Sequence, residues 1–187
     1  QDVGGAVEWM KSLPPGPAQR AAADQVINAW AQERPLEAAE YVSRLLADGV
    51  PDPSVRGELI STLTVSWANT DAKAAAEWVS KLPPDEGREQ AVLGLVNSWV
   101  ELSPADAAKF VTTLEPGPTQ NAAAGAVVGR WAASDPLTVA RWVESFPEGD
   151  LKQSVQQSLV EAWAPMDPHG VVEWVQKLPE GLARDDT

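Results

Sequence analysis

The chain has 187 residues, with nine Trp against one Tyr and two Phe, sixteen Pro, one His and no Cys, and its 27 acidic and 14 basic side chains leave a net charge of −13. That charge sets it against phosphate backbones and anionic bilayers, so no nucleic acid is expected as a partner, and the missing Cys removes disulfides, thiolate metal sites, iron–sulfur clusters and a cysteine nucleophile. A lone His excludes multi-histidine metal sites and no apolar run approaches the ~18 residues of a membrane span, so no metal, cofactor or membrane insertion is expected.

The aromatic residues form two interleaved series. Trp9, Tyr41, Trp78, Phe110, Trp142 and Trp174 follow at steps of 32, 37, 32, 32 and 32 residues, and Trp30, Trp67, Trp99, Trp131 and Trp163 at steps of 37, 32, 32 and 32. The step common to both series that exceeds the rest marks an insertion between Tyr41 and Trp67. The period divides the chain into approximate units 1–33, 34–70 with the insertion, 71–102, 103–134, 135–166 and a partial 167–187, read as one array without separate domains.

Each unit carries two helical patterns. The first helix starts at a polar cap followed, in the later units, by Pro: Asp2, then Asp71, Ser103-Pro104, Asp135-Pro136 and Asp167-Pro168. An oxygen acceptor at the cap serves free N–H groups, and Pro lacks an N–H that the first turn would leave unpaired anyway. Apolar residues then fall at −3, 0, +1 and +4 about the aromatic, as in Ala75, Trp78, Val79 and Leu82, or Val139, Trp142, Val143 and Phe146. That stripe belongs to an amphipathic helix. Leu13-Pro-Pro-Gly16, Phe146-Pro-Glu-Gly149 and Leu178-Pro-Glu-Gly181 end it. A second helix follows, with apolar positions such as Ala91, Leu95, Val96 and Trp99, or Val155, Leu159, Val160 and Trp163. Six helices of the first kind and five of the second are predicted, with a further second helix due at Leu182. Opening on Gln1 and running out in mid-repeat, the sequence reads as a piece of a longer protein or an array with a frayed tail.

A helix pair repeated at this interval marks an α-solenoid. The spacing is similar to that of tetratricopeptide arrays, whose W-x₂-L-G-x₂-Y, A-x₃-F and Pro positions fall on Ala75, Trp78, Val79, Leu82, Ala91, Leu95 and, one residue late, Pro104. Here Trp stands for the Leu, Val for the Gly, and the period is shorter than the ~34 residues of that family. The chain also resembles, over nearly its whole length, the W-A-x-x-D-P-x-A-A-x-W-V-x-x-L-P-x-G arrays of uncharacterised bacterial proteins, which carry no known activity. The expected fold is an all-α, right-handed α-solenoid of about 5.5 helix-turn-helix repeats.

Every Trp holds an equivalent stripe position, so the nine are expected in the core and not as an open stacking platform. Asp71, Asp135 and Asp167 are explained as caps, and Glu40/Arg44, Glu77/Lys81 and Glu173/Lys177 as i, i+4 pairs worth about 0.2–0.5 kcal/mol each. His169, just after a cap, reads as a solvated first-turn residue. Two departures from the pattern remain. One is the insertion around Asp48, Gly49 and Asp52, a candidate binding loop or a drifted one. The other is the position before the first-helix aromatic, which reads Glu8, Glu40, Glu77, Lys109, Arg141, Glu173. If first helices line the concave side, as the tetratricopeptide resemblance implies, Glu40, Glu77, Lys109, Arg141 and Glu173 form a candidate groove. Lys109 and Arg141 would clamp the carboxylate of an acidic peptide or chain terminus, unless the row is ordinary surface variation.

The sequence therefore reads as a non-catalytic scaffold binding a protein or peptide, with head-to-tail self-association as a further option. The alternative is a structural spacer within a longer envelope or secreted protein. A third reading, a glycosidase-like enzyme, requires a deep pocket with paired carboxylates.

Overall fold

The computed structural model describes Gly5, Trp9, Ser12, residues 16–47 and residues 53–178. Among the described residues there are nine α-helices and no strand, which makes the fold all-α. Gly5, Trp9 and Ser12 are helical. Asp48, Gly49 and Asp52 of the insertion, and the helix expected at Leu182, lie outside the described residues.

The chain divides into two compact units, Gln1–Trp99 and Val100–Thr187. The first contains α1 (Pro17–Glu33), α2 (Pro35–Ala47), α3 (Pro53–Val79) and most of α4 (Glu86–Leu102). Here α1 packs on α2 and α3, and α2 packs on α3. In the second, α5 (Pro104–Thr113) packs on α6 (Pro118–Trp131), and α8 (Asp150–Trp163) is met by α6, α7 (Pro136–Glu144) and α9 (Pro168–Val175).

The joint that opens each first helix has one backbone shape. Arg34 (φ −144°, ψ 65°), Asp71 (−150°, 84°), Ser103 (−152°, 81°), Asp135 (−149°, 70°) and Asp167 (−146°, 81°) are all extended residues set against helix. At Asp71 this is the whole break, so α3 comprises a second helix and the following first helix joined through one non-helical residue. Side chains at these joints find partners three residues on. Asp71, Asp135 and Asp167 accept the backbone N–H of Ala74, Thr138 and Gly170 at 3.0, 3.1 and 2.9 Å. Ser103 departs from the cap expected of it: its hydroxyl donates to the Asp106 carboxylate at 3.1 Å, leaving no side-chain cap on the backbone. Arg34 departs further, forming an ion pair with Glu37 at 3.4 Å. One joint thus tolerates three chemistries because its geometry resides in the backbone.

The entry to the second helices uses glycine. Gly16 (φ 156°, ψ −172°) and Gly149 (φ 151°, ψ −175°) lie in a region closed to residues with a Cβ, immediately before α1 and α8. Gly149 therefore serves the helix that follows it as much as it ends the one before. At the corresponding place before α4, Asp85 caps by accepting the Arg88 N–H at 3.0 Å. Within the first unit, α3 and α4 approach closely at Gly57 and Gly87, where a Cβ on Gly87 would lie 3.2 Å from the Gly57 Cα.

The apolar stripes enclose the core. Ala75, Val79, Ala91, Leu95, Val96, Ala107, Val111, Val139, Val143 and Leu159 are essentially inaccessible. Trp67, Trp99, Trp131, Trp163 and Trp174 are buried, and Trp30, Trp78 and Trp142 are half-buried. Trp9 breaks the pattern at 57% exposure, so its equivalent stripe position does not place it in a core. The i, i+4 carboxylate pairs expected from sequence do not close. Among the described residues, ion pairs instead join Arg34 to Glu37, Lys109 to Asp106, Arg130 to Glu101 and Lys152 to Glu148, while Arg44 turns its Nε to the Glu40 carbonyl at 3.3 Å. Exposed pairs of that kind bring little energy, so side-chain entropy and local carbonyls compete with them on even terms.

Candidate functional site

Two surface clefts, one in each unit, share the repeat positions of Leu36/Leu137, Trp67/Trp163, Ala74/Gly170, Glu77/Glu173, Trp78/Trp174 and Lys81/Lys177 and differ at the rest. In the first unit a cleft of about 450 Å³ lies between α2 and the last turns of α3, over Trp67 and Trp78. In the second, a cleft of about 620 Å³ lies between the start of α7 and α9, over Trp163 and Trp174. Each floor is a tilted tryptophan pair, with ring centroids 6.4 Å apart at 44° in the first and 6.3 Å at 41° in the second. The second-helix Trp and the next first-helix Trp meet here because both face the seam where a first helix lies against a second.

The indole N–H of the outer ring is held in both clefts by the preceding first helix. Trp78 Nε1 donates to Ser43 Oγ at 3.1 Å, and Trp174 Nε1 donates to Glu144 Oε1 at 2.7 Å. Ser43 and Glu144 each stand two residues after the first-helix aromatic of their repeat, Tyr41 and Trp142. Thr112 has that place in α5, but its hydroxyl donates to the Lys109 carbonyl at 2.6 Å. The buried Nε1 of Trp142, which packs edge-on to Phe146, is left without a hydrogen-bond partner.

Each cleft also carries an exposed leucine. Leu36 and Leu137 are the second residues of α2 and α7, directly after Pro, and are 67% and 62% exposed. Met166 adds a second exposed apolar side chain to the larger cleft. At Gly170 the packing leaves no room for a side chain: a Cβ there would overlap the Asp167 carboxylate and come within 2.8 Å of the Trp163 ring, whereas the first cleft has Ala74 at the same repeat position. Leu36 and Leu137 were not singled out by sequence, since lone exposed leucines are common. Their recurrence five residues before Tyr41 and Trp142 is the signal that was present.

The candidate groove residues distribute unevenly over these clefts. Glu40 and Glu77 line the first, with Arg44 and Lys81. Glu173 lines the second with Asp135, Asp167 and Lys177. Lys109 and Arg141 line neither and are exposed on α5 and α7. Lys109 Nζ contacts Asp106 Oδ1 at 3.0 Å, and Arg141 donates to Thr138 Oγ1 at 2.8 Å, so both cations are engaged within their own helices. The carboxyl of Asp135 is held below its ordinary value of 3.8, chiefly by hydrogen bonds from the Thr138 side chain and backbone, with Arg141 adding a smaller Coulombic pull.

His169 is exposed in the first turn of α9. Among the described residues no cluster of three or more His, Asp or Glu is placed to hold a metal ion, and no helix is long and apolar enough to cross a membrane. The chain matches no family model, no curated protein and no solved structure.

Proposed function

We propose that this chain is a non-catalytic scaffold, a right-handed α-solenoid with a 32-residue period that binds a protein or peptide partner on the surface made by its first helices. The spacing of helix starts supports the period, with α4, α6 and α8 opening at Glu86, Pro118 and Asp150, and α5, α7 and α9 at Pro104, Pro136 and Pro168. One observation carries the binding reading. At equivalent positions in both units, an exposed leucine stands beside an open cleft floored by a tryptophan pair, which is the arrangement that takes an apolar side chain from a partner. Folding alone gives no reason to keep Leu36 and Leu137 in water, whereas insertion of a partner's side chain beside them removes that apolar surface from solvent.

The test is selection of a displayed peptide library on the immobilised full chain, followed by titration of the enriched peptides against the wild type and a Leu36→Ser, Leu137→Ser double variant. Both leucines are exposed, so the variant keeps its core. Enriched sequences sharing an apolar anchor and losing about tenfold or more in affinity for the variant are expected. A selection that yields no enriched family, or peptides indifferent to both leucines, refutes this reading and favours the structural spacer.

A further inference from the structure

The two clefts share a floor and differ in charge, and from that difference we infer that the second-unit cleft takes a basic, apolar segment of a partner polypeptide, a Lys or Arg beside a Leu-like anchor. The inference rests on the docking reading above and specifies its partner. In the first-unit cleft, Glu40 and Glu77 face Arg44 and Lys81, two carboxylates against two cations. In the second, Asp135, Asp167 and Glu173 face Lys177 alone. Arg141 acts on Asp135 from outside the lining, and the carboxylates still outnumber the cations.

The charge at this rim is fixed by structure. Asp135 and Asp167 are held at the cleft edge by their cap bonds to Thr138 and Gly170, and those bonds help keep Asp135 ionised. The backbone caps engage Oδ1 of each carboxylate, and both residues are exposed. Between the two caps, Leu137 and Met166 offer apolar contact at 62% and 51% exposure over the Trp163–Trp174 pair. An apolar anchor entering here brings its neighbouring residue to the acidic edge. A cation at that position gains charge-assisted hydrogen bonds, and an anion meets like charge from the rim and from a chain of net charge −13.

The experiment uses the full chain labelled with ¹⁵N at its tryptophan indoles, titrated with three short synthetic peptides of Lys and Leu, Glu and Leu, and Lys and Ser. The Lys–Leu peptide is expected to shift the Trp163 and Trp174 indole signals and to bind more weakly as salt rises. An Asp135→Asn, Glu173→Gln variant should lose about three- to tenfold in affinity; Asn retains the cap, so this variant stays folded. A Leu137→Ser, Met166→Ser variant should lose more, while Leu36→Ser in the other cleft changes nothing at these signals. Equal binding of the Glu–Leu peptide at Trp163 and Trp174 overturns the basic partner while leaving the docking reading intact. Equal binding of the Lys–Ser peptide reduces the effect to general attraction by an acidic chain and also overturns it. If no peptide moves the indole signals of either tryptophan pair, the docking reading falls and this inference with it.

Discussion

The indole N–H of Trp174 donates to Glu144 Oε1 at 2.7 Å, linking one first helix to the next by a hydrogen bond to a carboxylate. The ring is buried and, among the described residues, Glu144 is the acceptor of its N–H, so removing the carboxylate strands a buried donor. Glu144→Ala is expected to cost about 1–2 kcal/mol in urea unfolding, and Ser43→Ala, which strands Trp78 beside a neutral hydroxyl, less than that. A neutral result for Glu144→Ala, with the Trp174 indole signal unmoved, shows that the bond contributes nothing.

The same site in α5 points the other way. Thr112 turns its hydroxyl to the Lys109 carbonyl and Trp142 Nε1 has no partner, so a longer acceptor at this position supplies what Glu144 supplies to Trp174. Thr112→Glu is expected to stabilise the chain by about 0.5–1.5 kcal/mol, read as a rise in the urea midpoint at constant slope. Thr112→Gln should reproduce part of the gain.

Asp135 predicts a pH dependence. Its carboxyl titrates below 3.8, so the folded chain favours the ionised form more than the unfolded chain does. The resulting stability is complete above the unfolded value and is lost as the pH falls through the lowered folded one. The stability difference between wild type and Asp135→Ala should therefore hold steady at neutral pH and shrink below about pH 4. A difference that stays constant across the acid range removes the carboxylate from the account and leaves only packing.

Gln120 is buried at the start of α6, and its Nε2 donates to the carbonyls of Val111 and Leu114 at 3.1 and 3.2 Å. These carbonyls belong to the C-terminal end of α5, where intrahelical donors run out. Gln120→Ala is expected to destabilise by about 1–3 kcal/mol, and Gln120→Glu by at least as much because two acceptors would face carbonyl oxygen. Chemical denaturation of the two variants decides this.

Trp9 stands apart from the other eight, at 57% exposure. Iodide should quench only a minor part of the native fluorescence, and Trp9→Phe should remove most of that accessible part. Broad quenching that survives in the variant contradicts the burial of Trp67, Trp99, Trp131, Trp163 and Trp174.

How far the sequence led depends on which link of the chain is asked about. Helix positions were legible because period, Pro and stripe agree: α5, α7 and α9 all begin at the Pro of Ser103-Pro104, Asp135-Pro136 and Asp167-Pro168. Cap chemistry was legible at Asp71, Asp135 and Asp167 but not at Ser103 or Arg34, where the side chain three residues on, a carboxylate in both, replaces the backbone N–H as the partner. The clefts were not legible at all as cavities. They arise from how helices distant in sequence are placed, which no single position encodes, and their exposed leucines, Leu36 and Leu137, lie off the apolar stripe. Of the residues chosen from the row before the aromatic, Glu40, Glu77 and Glu173 border the clefts; Lys109 and Arg141 drew notice by breaking the pattern, and in the structure each is occupied by a neighbour one turn away.

Two kinds of joint alternate along this chain, and at Arg34, Asp71 and Ser103 they differ in slack. From a second helix to the next first helix the chain passes through a single extended residue at Arg34, Asp71 and Ser103, and through a short turn ending in one at Asp135 and Asp167, whereas the opposite connection spends several residues throughout, as between Thr113 and Pro118 or Glu144 and Asp150. An added residue at the tight joint has nowhere to go but into the helix, where it turns every following side chain by about 100° and faces the stripe toward water. The looser joint absorbs the same addition in its loop. The longer step between Tyr41 and Trp67 falls in the second kind of connection, where part of it becomes helix: α2 has 13 residues against 10 in α5 and 9 in α7. Length added after the stripe of a first helix leaves that stripe in register, so this connection is the place to splice a tag or guest sequence.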